Sequence, residues 1–240
     1  MKTERCRHGS RRSERGGIAA ATILFAALAG AWAQNGAPAD TMAAMKSSHA
    51  DLAPISAIGA HVCDIHFYSG NMKRQLIAQH YCSHLSDDIL QCVLYDSDKR
   101  DARLIGVEYI VSARIFESLP ADEKTFWHSQ NYEVKSGALT APGADEAAER
   151  DLMKVLIGTY GKTWQTWQLD RGDKLPLGIP QLMMAFTKDG QLDPKIAAER
   201  DKLCATSMAA KLALILHFCT EERGGEICRV MMGHAIALIV

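Results

Sequence analysis

The sequence predicts an α+β fold: one domain in which an antiparallel or mixed sheet is flanked by a few helices. Three observations carry that prediction. Short segments of alternating polarity cluster between residues 60 and 110, separated by turn-forming residues. One longer segment, Asp145–Tyr160, gathers Leu152, Val155, Leu156 and Thr159 on one side of a helix. Strands come in pairs interrupted by helices, without the regular strand–helix alternation of a parallel sheet, and no internal repeat is present.

The N-terminus reads as an export signal. Arg5, Arg7, Arg11, Arg12 and Arg15 precede an uncharged run of sixteen residues, Ile18–Ala33, which closes on Ala31-Trp32-Ala33 with small residues where a signal peptidase requires them. The run is shorter than the roughly 20 apolar residues needed to cross a bilayer. The expectation is therefore a signal peptide at 1–33, a flexible leader at 34–49 and a domain at 50–240 with no transmembrane span. The location expected is periplasmic or extracellular. The leader holds six basic and two acidic residues, so the 27 basic and 28 acidic residues become 21 and 26, and the net charge falls from -1 to -5. That balance, without a Lys/Arg stripe, excludes a nucleic-acid partner from the expectation. Nothing in the sequence fixes an oligomeric state.

The elements follow in order. Leu52, Ile55 and Ile58 form a helical or looped lead-in that stops at Gly59, and Ala60–Tyr68 is a strand. Gln75–Cys82 and Ile89–Tyr95 alternate around the turn-prone Ser83–Asp88, so they form an antiparallel hairpin. After the charged turn Asp96–Asp101 comes a strand at Leu104–Ile110. Ser112 then caps a helix that reaches toward Leu119. Ala121–His128 has acids at its start and suits a short helix. Tyr132–Leu139 reads as a strand, Asp145–Tyr160 as a helix ended by Gly161, and Thr163–Leu169 as a strand that alternates its tryptophans.

Histidines and cysteines supply the sharpest chemical candidates. His61 and Cys63 share one face of their strand, His80, Cys82 and His84 share a face in the hairpin, and Cys92 lies on the returning strand. With His128 these imidazoles and thiols are a ligand set for zinc or copper. The spacing is not that of a zinc finger, and the same residues on one strand face are also ordinary core, which is the weightier reading. Export opens a third: Cys63, Cys82, Cys92, Cys204, Cys219 and Cys228 can form disulfides, in any of fifteen pairings that include a Cys82–Cys92 bridge across the hairpin. A thiol hydrolase using Cys82 or Cys63 with His128 and Asp96 or Glu108 has no motif to support it.

A second constellation is Asp170-Arg171-Gly172-Asp173-Lys174, read either as a solvated turn or as a polar loop in which Arg171, Asp173 and Lys174 hold an anionic ligand. Met208–Phe218 and Ala235–Val240 are apolar enough to touch a lipid surface, and both are too short to span one.

Several runs carry a family resemblance. His61-Val62-Cys63, His80-Tyr81-Cys82, Gln91–Asp98, Ala102–Ser112, Phe126-Trp127-His128-Ser129, Tyr160–Trp164 and Asp170–Gly178 together resemble the plant oil body-associated proteins and their microbial relatives, most strongly over residues 55–184. With its export signal of bacterial type, the chain is similar to a bacterial relative of that family. The resemblance implies no catalytic mechanism, because the family's biochemical function is unknown. Gln130 departs from the family, whose plant members commonly carry a second histidine there, and this weakens a metal role for His128. Residues 203–230 depart from the family pattern, which returns at Gly233–Ala237.

The sequence contains no nucleophile elbow, phosphate loop, HExxH or dinucleotide fingerprint. The functional expectation is thus an exported, non-enzymatic domain with a structural, lipid-surface or small-ligand-binding role. The alternative is a His/Cys metal-binding protein or a metal- or thiol-dependent enzyme.

Overall fold

The computed structural model describes residues 52–212. The signal peptide and leader expected at 1–33 and 34–49, Cys219 and Cys228, most of the 208–218 run and the apolar 235–240 run lie outside the described residues.

Helix α1 (Ala53–Ser56) leads into strand β1 (Ala60–Tyr68), which pairs along its whole length with β2 (Asn71–Ser86). β2 turns into β3 (Ile89–Tyr95), and β3 pairs with β4 (Leu104–Ser112). β2 is longer than the sequence predicts at both ends, because the residues read there as turn continue the ladder to Ser86. Ser112 caps α2 (Ala113–Ser118) as expected, its Oγ accepting from Ile115 N at 3.4 Å. α3 (Ala121–Lys124) and the two-residue β5 (His128–Ser129) follow.

Four further elements differ from their predicted form: Ala121–His128 is helical only over Ala121–Lys124, and His128 stands in β5. Tyr132–Leu139 is not a strand: Asn131–Ser136 is helix α4, ended by Gly137 in the left-handed region at φ 73°. Its alternation of apolar and polar residues fits either structure over so short a run. α5 (Glu146–Leu156), capped by the Asp145 carboxylate, stops before Gly161. Gly161 lies inside strand β6 (Thr159–Gln165), which begins and ends earlier than predicted and leaves Trp167 beyond it. β7 (Gln181–Met184) and α6 (Pro194–Leu203) complete the described fold.

All pairings are antiparallel, in the order β4-β3-β2-β1-β7-β6-β5. β4 also pairs with β6, so the sheet closes into a six-stranded barrel that β5 joins at one end of β6. The α+β class holds, with closure as its added feature. One apolar cluster includes Val62, Ala78, Leu90, Leu94 and Ile110 and extends to Met153 and Leu156 of α5. A second forms where Ile65 and Phe67, on the other face of β1, meet Phe186 and Ile196 of α6. β1 is therefore buried on both faces. Two disulfides, Cys82–Cys92 between β2 and β3 and Cys63–Cys204 between β1 and the end of α6, staple this arrangement.

Candidate functional site

Strand register decides which side chains meet inside the barrel. Residues opposite one another in an antiparallel pair share a face. Val62 opposes His80, Asp64 opposes Ala78 and His66 opposes Leu76, so Asp64 and His66 share a face with His80. His80 opposes Leu94, and two residues along that strand Cys92 opposes Glu108. Glu108 opposes Thr163, and His128 of β5 opposes Gly161 on the same face of β6. The result is a ring of buried polar groups, with Asp64, His66, His80, Glu108, His128 and Gln130 each at most 5% exposed. Glu133 of α4, 0% exposed, faces His66 from the side, its Oε1 3.8 Å from Nδ1.

The contacts are close. His66 Nε2 lies 3.2 Å from His80 Nε2, and His80 Nε2 lies 3.1 Å from Glu108 Oε2. His128 Nε2 is 3.4 Å from Glu108 Oε1 without an aligned hydrogen bond, and the Gln130 amide donates to the same oxygen at 3.2 Å. His80 Nδ1 faces the carbonyl of Ala78 at 3.2 Å. A carbonyl only accepts, so Nδ1 carries a proton there, and Nε2 faces His66 and Glu108. The ring centroid of His66 is 5.2 Å from that of His80 and 5.1 Å from that of His128.

Burial and mutual charge divide the titratable groups. Burial holds the His66 imidazole well below its ordinary pKa, with His128 and His80 adding to the effect against Glu108. His80 is also disfavoured as a cation by burial, but contact with Glu108, joined by the charge on Asp64 and the Ala78 carbonyl, outweighs this and raises its pKa. Burial pushes Glu108 up, yet the contacts with His128 and His80 and the charge on His80 bring it well below the usual carboxylate range. Glu133 is driven well above that range by burial and by Asp64 and Glu108, and Asp64 is pushed up to about 6 by burial. The surroundings thus drive the two carboxyl groups in opposite directions, Glu108 down and Glu133 up.

Several of these buried atoms have no hydrogen-bond partner among the described residues: His66 Nδ1, both ring nitrogens of His128 and both carboxylate oxygens of Glu133. Gly161 opens the space between them. A Cβ there would lie 2.7 Å from His128 Nε2 and 2.8 Å from Gln130 Nε2. Two trios, His66-His80-Glu108 and His66-His128-Glu133, hold their donor atoms within 4.8 Å of one another, a spacing that can hold a metal ion.

One end of the barrel carries a different feature. Asp170 binds Tyr68 Oη at 2.7 Å and Arg74 Nε at 2.7 Å, and the Trp167 indole donates to Asp173 O at 3.0 Å. From these anchors the chain runs out through Lys174–Pro180, exposed at every residue, with Leu175, Leu177 and Ile179 exposed by 60%, 57% and 79%. Ser69 at the β1–β2 turn donates to Leu182 O at 2.9 Å, which puts the exposed Met72 and Lys73 at the same end.

Of the six metal-ligand candidates, the structure brings together His80 and His128. His61 points to the outer face, where its ring stacks on Tyr81 at 4.4 Å. Cys63, Cys82 and Cys92 are joined in disulfides, so no thiolate of theirs is present for a metal or for nucleophilic attack. Arg171 pairs with Asp173 at 2.6 Å, and Lys174 extends toward solvent, so the three do not converge on one anion. His66 and Glu133 are the additions, and Glu108, named in the sequence only as the acid of a thiol hydrolase, joins the metal-ligand groups. His66 and Asp64 had a readable signal, two polar residues two apart in the apolar strand β1; Glu133 had none, because its segment reads as a strand.

A family model described as "Protein of unknown function (DUF1264)" matches residues 52–213. The chain belongs to this family. It is 50% identical over 145 residues to Oil body-associated protein 1A of Zea mays, covering 60% of this chain and 61% of that protein. It is 45% identical over 156 residues to Oil body-associated protein 1B of Arabidopsis thaliana, covering 65% of each chain. Oil body-associated protein 2A of Zea mays is 48% identical over 159 residues, covering 66% of this chain and 60% of that one. The chain thus spans about three fifths of the length of these relatives. No solved structure matches. Within the DUF1264 match lie the whole barrel, every member of the polar ring and the 174–180 loop.

Proposed function

We propose that this chain is an exported, non-enzymatic protein that attaches peripherally to a lipid surface through the 174–180 loop. The observation that carries the reading is the exposure of Leu175, Leu177 and Ile179 in one short segment interrupted by Pro176 and closed by Pro180. Burying an aliphatic side chain fully is worth about 1.5–3 kcal/mol, so three inserted together suffice for reversible attachment. Lys174 and Lys73 stand at the same end, and each basic residue near an anionic membrane adds about 1 kcal/mol. No helix among the described residues is long and apolar enough to cross a membrane, so attachment from this part of the chain is peripheral. Relatives named as oil body-associated support a lipid partner. The arginine-rich leader and the Ala31-Trp32-Ala33 site, of bacterial type, support export, and two disulfides fit an oxidising compartment.

Flotation tests the reading. The purified protein is expected to rise in a density gradient with vesicles of phosphatidylcholine containing phosphatidylserine and with phospholipid-coated triacylglycerol droplets. Leu177→Asp combined with Ile179→Asp is expected to leave the protein folded and at the bottom. Failure of the unaltered protein to float with either particle, or equal flotation of the folded double variant, overturns the reading.

A further inference from the structure

We propose that the polar ring inside the barrel is a binding site for one divalent first-row transition-metal ion, typified by zinc, held by His66, His80 and Glu108, with His128 facing the second oxygen of Glu108. The site is independent of the lipid-facing loop.

The distances match what such an ion imposes. Zinc bonded to nitrogen and oxygen at about 2.0–2.1 Å in tetrahedral geometry keeps its donor atoms roughly 3.3–3.4 Å apart. In the His66-His80-Glu108 trio, His66 Nε2 lies 3.2 Å from His80 Nε2 and His80 Nε2 lies 3.1 Å from Glu108 Oε2, while His128 Nε2 lies 3.4 Å from the other carboxylate oxygen, Oε1. Hydrogen bonding alone explains this set poorly. His80 Nε2 faces an imidazole nitrogen and a carboxylate oxygen at once, whereas Nδ1 faces the Ala78 carbonyl. That Nδ1–H···O=C contact is the outer-shell device that fixes a metal-binding histidine in the tautomer whose Nε2 carries a lone pair. Gln130 orients Glu108 in the same sense, by donating to one of its oxygens.

The unpartnered atoms point the same way. A buried polar group left without a partner costs about 1–3 kcal/mol, and His128 leaves both nitrogens in that state. A cation in the His66-His80-Glu108 trio compensates the buried Glu108 charge, whose Oε1 lies 3.4 Å from His128 Nε2. Glu133, beside His66, completes the second trio and is placed to accept from a ligand imidazole or to enter the coordination sphere.

The donor chemistry selects the class of ion. Imidazole with carboxylate suits zinc, iron, nickel or copper(II), whereas magnesium and calcium take oxygen donors. With Cys63, Cys82, Cys92 and Cys204 in disulfides, the ring contains no soft sulfur ligand that would select copper(I).

The test is metal analysis and titration of the purified full chain with disulfides intact, first stripped with a chelator and then reloaded with zinc. One equivalent of bound zinc is expected, with a rise in melting temperature that magnesium does not reproduce. His66→Ala and Glu108→Gln are each expected to weaken zinc binding by more than the roughly 10–100-fold that loss of an outer-shell partner costs. His61→Ala, on the outer face, is expected to bind as the unaltered protein does. Glu108→Gln keeps the shape of its side chain, so it serves if the histidine variant fails to fold. Absence of stoichiometric zinc after reloading, or unweakened zinc binding by folded Glu108→Gln, overturns the proposal.

Discussion

At the scale of single residues, the barrel interior depends on one missing side chain. Gly161 sits in the middle of β6 with negative φ, so its role is space rather than backbone freedom. Adding a methyl group there forces it against His128 and Gln130, both buried and both fixed by the strands around them. Overpacking of that kind costs about 1–3 kcal/mol. Gly161→Ala is therefore expected to lower the unfolding free energy by that margin and the urea midpoint with it. Gly158→Ala, where a Cβ meets nothing within 4 Å, is expected to leave the unfolding free energy within about 0.5 kcal/mol of the original. Equal midpoints for the two variants would show that the interior accommodates the methyl group and that the ring is looser than its distances imply.

At the scale of elements, local pattern reveals strands more readily than their orientation toward the core. β1 and β3 are legible to the residue, because Ala60–Tyr68 and Ile89–Tyr95 are dense in β-branched and aromatic residues and bounded by turns. The facing of β1 is not legible, since α6 covers its outer face and both faces are apolar. His61 and Cys63 thus share a face in the sequence, and the register with β2 assigns that face to the outside. β7 is too short for a pattern, and α4 is a single exchange of strand for helix that hides Glu133. The Ser112 cap was legible, and it has a second duty. Its Oγ accepts from Ile115 N and donates to Asp88 Oδ1 at 2.6 Å, joining the start of α2 to the β2–β3 turn. Ser112→Ala removes a cap worth about 0.5–2 kcal/mol, and the lost contact with Asp88 places its expected cost toward the upper end of that range. A denaturation midpoint unchanged in this variant would mean that β4 alone fixes the start of the helix.

At the scale of the whole molecule, the two disulfides act over different lengths of chain. Cys82–Cys92 joins residues 10 apart in a hairpin the strands already define, whereas Cys63–Cys204 joins residues 141 apart and ties α6 to β1. The longer bridge is backed by Arg200, buried in α6, whose guanidinium donates to Gly137 O at 2.9 Å at the end of α4. α6 in turn covers Ile65 and Phe67 on the strand that carries His66. Loop-closure entropy puts the stabilisation at about 3 kcal/mol for the short bridge and about 5 kcal/mol for the long one. Replacing Cys63 and Cys204 together by serine is thus expected to cost more stability than replacing Cys82 and Cys92, measured by urea denaturation of the oxidised proteins. Because α6 holds β1 from outside, the same variant is expected to release zinc faster from the proposed interior site. The reverse order of stabilities would mean that α6 is held by its apolar contacts and Arg200, and that the covalent tie adds little to the closed barrel.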